Sequence, residues 1–191
     1  MNLPNKLTIL RIIMAPIFLF CLICDFSYHT VLALFVFIAA ALTDYADGKI
    51  ARNRNLITDF GKFLDPLADK MLTTAAFIGF IGLDIGMGIV WITMIMLTRE
   101  FLITSLRLAA AGGGTVIAAN IWGKIKTVCQ MVAIIITIIW LIIADINNAP
   151  ILLIDIFRWM AFGSLWISAI MTLVSGVIYM RDNAGFVDSN K

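Results

Sequence analysis

Five aspartates fall within the segment Thr43–Lys70, TDYADGKIARNRNLITDFGKFLDPLADK, in a chain that has only 12 acidic residues. Asp44, Asp47, Gly48, Ala51 and Arg52 recur at spacings of three and four, which puts them on one face of a helix. Gly61, Asp65 and Asp69 recur at four and share a face of the next helix. The connection between them is short, so the two helices are expected to be antiparallel neighbours whose polar faces meet near one membrane surface. Gly48 and Gly61 carry no side chain there, leaving room for a ligand or a backbone to approach.

Four facing carboxylates repel one another in a low-dielectric site. Protonation relieves this, and so do bound cations. With oxygen donors and no His or Cys nearby, the expected metals are Mg²⁺ or Mn²⁺. Asp44, Asp47, Asp65 and Asp69 suffice for two divalent cations about 4 Å apart that bridge a phosphate. Arg52 adds a planar fork suited to phosphate oxygens. The alternative is a solvated loop in which these aspartates pair with Arg52, Arg54, Lys62 and Lys70. Four carboxylates at these spacings, with two placed glycines, favour the metal site.

The elements that must hold this segment are apolar. The 191 residues are 62% hydrophobic and 14% charged, and mean hydropathy is +1.01, against roughly half and a quarter in soluble domains. That excludes an ordinary soluble fold, a disordered chain and a typical nucleic-acid binder. The net charge of +2 defines no partner. Cys21, Cys24 and Cys129 read as unpaired thiols within apolar runs. Arg11 interrupts the first apolar run and no small-residue cleavage site follows, so that run reads as a retained span.

Six runs approach the length of about 20 residues that a bilayer demands: Leu7–Cys24, Val31–Ile50, Phe60–Leu83, Ile89–Ala110, Ile125–Ala144 and Ile154–Met180. The expected fold is all-α, a single polytopic membrane domain over residues 1–191 with six transmembrane helices around a cytoplasm-facing polar cavity. Lys6, Arg11, Lys49, Arg52, Arg54, Lys62, Lys70, Arg107, Lys124, Lys126, Arg181 and Lys191 fall toward one side of it, with Arg158 the one clear exception. The positive-inside rule places that side, both termini and the carboxylates in the cytoplasm. His29 falls on the far side and reads as incidental to the metals.

The segment resembles the signature of the CDP-alcohol phosphatidyltransferases, DxxDGxxAR, eight residues, then GxxxDxxxD. Here it reads Asp44-Tyr45-Ala46-Asp47-Gly48-Lys49-Ile50-Ala51-Arg52, then Asn53–Phe60, then Gly61 to Asp65 and Asp69. The length and six-span organisation also fit. The resemblance implies transfer of a phosphatidyl group from CDP-diacylglycerol to an alcohol, by direct displacement, with release of CMP. It implies that Asp44, Asp47, Asp65 and Asp69 hold two divalent metals, with Asp44 and Asp65 bridging, and that Asp69 is also the general base. Gly48, Ala51, Arg52 and Thr58 would contact CDP, although Thr58 also reads as a helix N-cap. The opening Asn2–Arg11 is similar to the family's N-terminal segment, where Asn5 and Thr8 would line the nucleotide pocket. Homodimers are common in the family.

The signature does not specify the acceptor. An anionic one needs basic residues, and Arg99, Arg107, Lys124 and Lys126 are the candidates for its phosphate. Each also has a plainer reading, Arg99 as the partner of Glu100 and the others as interfacial anchors. Asn2–Arg11, Asp65–Lys70 and Thr98–Phe101 look most like the branch whose acceptor is glycerol 3-phosphate. The alternatives within the family are a cardiolipin synthase using phosphatidylglycerol and a phosphatidylserine- or phosphatidylinositol-type synthase. A divalent-cation transporter would trace acids across the membrane, whereas these cluster toward one face. A catalytically dead scaffold would have no use for Asp69.

Overall fold

The computed structural model describes the backbone of residues 3–54, 59–112 and 120–183; the side chains of residues 3–6, 44–54, 59–67, 69, 111 and 112 lie outside that description. Six helices and no strands occur among the described residues: α1 Leu3–Ile23, α2 His29–Arg54, α3 Asp59–Gly82, α4 Ile89–Gly112, α5 Ile121–Asp145 and α6 Ile151–Asp182. Ile89–Ala110, Ile121–Asp145 and Ile151–Asp182 are long and apolar enough to cross a membrane, and the described apolar stretches of α1, α2 and α3 are shorter. Large apolar side chains such as Phe35, Trp91 and Trp159 point outward, a surface that lipid solvates and water does not. The protein is an all-α polytopic membrane protein.

The turns fall at the breaks that the sequence shows. Tyr28, Asp84, Met87 and Asn148 adopt positive φ there, as do Gly86 and Gly88. Several helix ends lie beyond the expected runs, among them Leu3 of α1, Arg54 of α2 and Ile151 of α6. α5 starts at Ile121, ahead of the Ile125 expected from hydropathy. Asn120 caps it, its Oδ1 accepting from the Trp122 amide at 3.4 Å. The polar Lys124 and the small Gly123 therefore lie inside the first turn of the helix rather than in a loop.

The contacts group into two units, residues 1–86 with 138–154 and residues 87–137 with 155–191. In the first, α1 lies against both α2 and α3, and the described parts of α2 and α3 meet each other far less. The α1 face that does this is Thr8, Arg11, Ala15, Phe18 and Leu22, all buried and spaced by three and four. At one end of this unit His29 Nδ1 lies 3.2 Å from the Cys21 carbonyl oxygen. Its Nε2 is 3.5 Å from Asp145 Oδ2, which also accepts from Thr30 Oγ1 at 2.9 Å. These contacts fasten the α1–α2 turn to the end of α5.

Candidate active site

The register of the first unit fixes where the aspartate positions fall along its helices. The Phe18 and Phe37 rings meet with centroids 5.4 Å apart, which sets α1 against the antiparallel α2. A Cβ built on Gly79 would lie 2.5 Å from Leu22 and 3.2 Å from Leu19, and one on Gly82 would lie 3.5 Å from Ile23, which sets α1 against the parallel α3. All three helices advance equally per residue. Stepping along α1 from Phe18 to Arg11 therefore corresponds to moving from Phe37 to position 44 on α2. On α3 the same step leads back to about position 69. The buried stripe of α2, Ala33, Phe37 and Ala40, continues at the same spacing through positions 44, 47 and 51. That of α3, with Ala68, Leu72 and Ala76, runs back to position 65.

Asp44, Asp47, Gly48, Ala51 and Arg52 thus occupy the last turns of α2, and Asp65 and Asp69 the first turns of α3. Asn5 lies in the first turns of α1. The side chains of all these residues lie outside the described set, as does Thr58 entirely. Thr8 is described: it is 1% exposed on the α1 face that packs on α2 and α3. Arg11, one turn on, is 4% exposed on the same face. In the sequence Arg11 reads as a basic residue that interrupts the first apolar run, at the end of the stretch similar to the family's N-terminal segment. Its place within an apolar run, three residues after Thr8, was the available signal.

Among the described residues no group of three or more His, Cys, Asp or Glu can hold a metal ion. The donor chemistry at positions 44, 47, 65 and 69 does fit hard divalent cations, since it is all carboxylate oxygen, at the end of α2 and the start of α3.

The second unit contains a different charge cluster. Arg99 donates to Glu100 Oε1 at 3.1 Å and to Ser175 Oγ at 2.9 Å, and Lys126 donates to the same Glu100 oxygen. Lys126 is buried, and the Arg99 and Glu100 side chains are 13% and 18% exposed. Gly176 makes room for the Arg99 stem, since a Cβ there would lie 3.2 Å from Cγ; Gly123 lies under the guanidinium. One carboxylate and two cations thereby tie α4 to α5, and Ser175 ties Arg99 to α6. Of the four acceptor candidates the structure brings Arg99 and Lys126 together through Glu100. It places Arg107 and Lys124 on exposed faces of α4 and α5.

This fold and this pattern of carboxylates define a class of membrane enzyme. Residues 1–174 match the model of the CDP-alcohol phosphatidyltransferase family, and the chain belongs to that family and is a transferase. It is 39% identical to the CDP-diacylglycerol–glycerol-3-phosphate 3-phosphatidyltransferase of Bacillus subtilis (strain 168), over 95% of each chain. It is 34% identical to the protein of the same name from Rickettsia prowazekii (strain Madrid E), over 94% of each. To a probable phosphatidylglycerophosphate synthase of Mycobacterium tuberculosis (strain ATCC 25618 / H37Rv) it is 45% identical, over 70% of this chain and 64% of that one.

Proposed function

We propose that the protein transfers the phosphatidyl group of CDP-diacylglycerol to glycerol 3-phosphate, giving phosphatidylglycerophosphate and CMP. The observation that carries this is the likeness to the Bacillus subtilis enzyme along nearly the whole of both chains, together with the intact signature at positions 44–69.

Asp44, Asp47, Asp65 and Asp69 would hold two divalent cations, Mg²⁺ or Mn²⁺. When bound, these cations would neutralise the diphosphate and stabilise the charge that builds on departing CMP. Asn5, Thr8, Gly48, Ala51, Arg52 and Thr58 hold the CDP moiety. A free hydroxyl of glycerol 3-phosphate attacks the phosphorus that carries diacylglycerol. The new P–O bond forms as the bond to the bridging oxygen breaks, and CMP leaves with that oxygen. Asp69 accepts the hydroxyl proton. A carboxylate is a weak base, so this transfer falls late, once the attacking oxygen has become acidic. Little else is required, since transfer of this kind depends mainly on positioning and charge neutralisation.

Of the acceptor-phosphate candidates, Arg107 and Lys124 lie on exposed faces, whereas Arg99 and Lys126 are bound to Glu100. The distribution of basic residues supports both termini and the active site being cytoplasmic, with the acyl chains entering a polar-mouthed cavity sideways from the bilayer. The homodimer rests on the family resemblance.

Purified protein in detergent, given CDP-diacylglycerol and Mg²⁺, is tested with glycerol 3-phosphate, phosphatidylglycerol, serine or inositol, and the lipid product is identified. Phosphatidylglycerophosphate formed only with glycerol 3-phosphate is expected. A product with another acceptor would keep the family chemistry and overturn the assignment of glycerol 3-phosphate. Arg107→Ala or Lys124→Ala is expected to raise KM for glycerol 3-phosphate about tenfold, and KM for the lipid much less. Equal changes in both would remove these residues from the acceptor pocket.

A further inference from the structure

We propose that Arg11 binds the diphosphate of CDP-diacylglycerol, as a substrate-binding residue outside the signature; this rests on the function proposed above. Three observations converge on it. The first is burial. Arg11 is 4% exposed on an apolar helix, where a cation is costly unless opposite charge faces it. The second is register. Phe18–Phe37 and the Leu22–Gly79 approach put Arg11 level with position 44 on α2 and about position 69 on α3. Both of those positions carry signature aspartates. Thr8, buried one turn away on the same face, gives that level a hydroxyl as well.

The third is charge. Four carboxylates and two divalent cations cancel. The diphosphate diester brings two negative charges, and Arg52 offsets one. Arg11 would offset the other. Neutrality matters most where the dielectric is low. Arginine also suits the task where lysine would not. Its guanidinium stays protonated when buried, and its planar fork meets phosphate oxygens two at a time.

The variants are Arg11→Lys, which keeps the charge and loses the fork, and Arg11→Gln, which loses both. Each is assayed for equilibrium binding of CDP-diacylglycerol in detergent with Mg²⁺ and no acceptor, for KM of both substrates, and for Mn²⁺ binding by electron paramagnetic resonance. Kd and KM for CDP-diacylglycerol are expected to rise about tenfold in Arg11→Lys and about a hundredfold in Arg11→Gln. KM for glycerol 3-phosphate and the Mn²⁺ affinity should stay within about threefold of native, as for an interaction confined to one substrate. Native binding of CDP-diacylglycerol by either variant would overturn the proposal. So would a common shift in lipid, acceptor and Mn²⁺ affinities, which marks a packing role, or failure of both variants to fold. Native protein that neither binds nor turns over CDP-diacylglycerol would instead refute the underlying function.

Discussion

Two sets of charges sit in the apolar helices, and they differ in the signs they bring together. In the first unit the ends of α2 and α3 carry four aspartates of like sign on two helix faces. In the second, Glu100 lies between Arg99 and Lys126, and its carboxylate takes a hydrogen bond from each. A cluster of mixed sign ties its helices together. A cluster of like charges calls for something to complete it, and the proposed function supplies a pair of cations and a diphosphate. On the proposed reading, an ionisable residue in a membrane helix marks a ligand site when like charges share its helix face. Rarity alone does not mark one.

Substitutions in each cluster sharpen the contrast. The largest effect on turnover is expected at the aspartates. Asp69→Asn should lower the rate of CMP release about 10²–10⁴-fold, the usual worth of a general base, while the protein still binds CDP-diacylglycerol and unfolds at the native temperature. Wild-type-like turnover in that variant would remove Asp69 as the base.

At the Glu100 cluster the loss should be in stability first. Glu100→Gln strands a buried ammonium and a guanidinium, at a cost of about 3–5 kcal/mol, the usual penalty for breaking a buried pair. It is read as a lower unfolding temperature in detergent. Adding Lys126→Met to Glu100→Gln should recover part of the loss, because the stranded charge goes with it. If Glu100→Gln were as stable as native and changed only KM for glycerol 3-phosphate, the cluster would be an acceptor site rather than a strut.

A smaller effect is expected where no charge is involved. Gly79→Ala places a methyl 2.5 Å from the fully buried Leu22, so α1 and α3 must part or Leu22 must move. The cost should be about 1–3 kcal/mol, again read from the unfolding temperature, and Leu22→Ala should relieve it.

The sequence made the two clusters unequally legible. Asp44 to Asp69 lie within two helical segments joined by a short connection, so spacings of three and four reveal shared faces directly. Lys126 is 26 residues from Glu100, and Ser175 is 76 from Arg99. No local period links them. The Arg99–Glu100 couple was visible as a pair of neighbours, but its extension to Lys126 needed the packing of α4 on α5. The same holds for Arg11, which became informative only once the Phe18–Phe37 contact fixed its level. The six helices were legible from hydropathy because a bilayer imposes their length. The start of α5 was not, because the Asn120 cap extends the helix through polar residues that hydropathy discards.

The most direct test of the central claim is CMP release by the purified protein from CDP-diacylglycerol and glycerol 3-phosphate. Divalent cations are removed with chelator and then restored as Mg²⁺ or Mn²⁺, and the protein with all four signature aspartates changed to Asn runs in parallel. The account predicts that release stops on chelation, returns with either cation, and never occurs in the fourfold variant. Release that persists without divalent cations, or in that variant, would contradict a carboxylate-held metal site as the seat of the reaction.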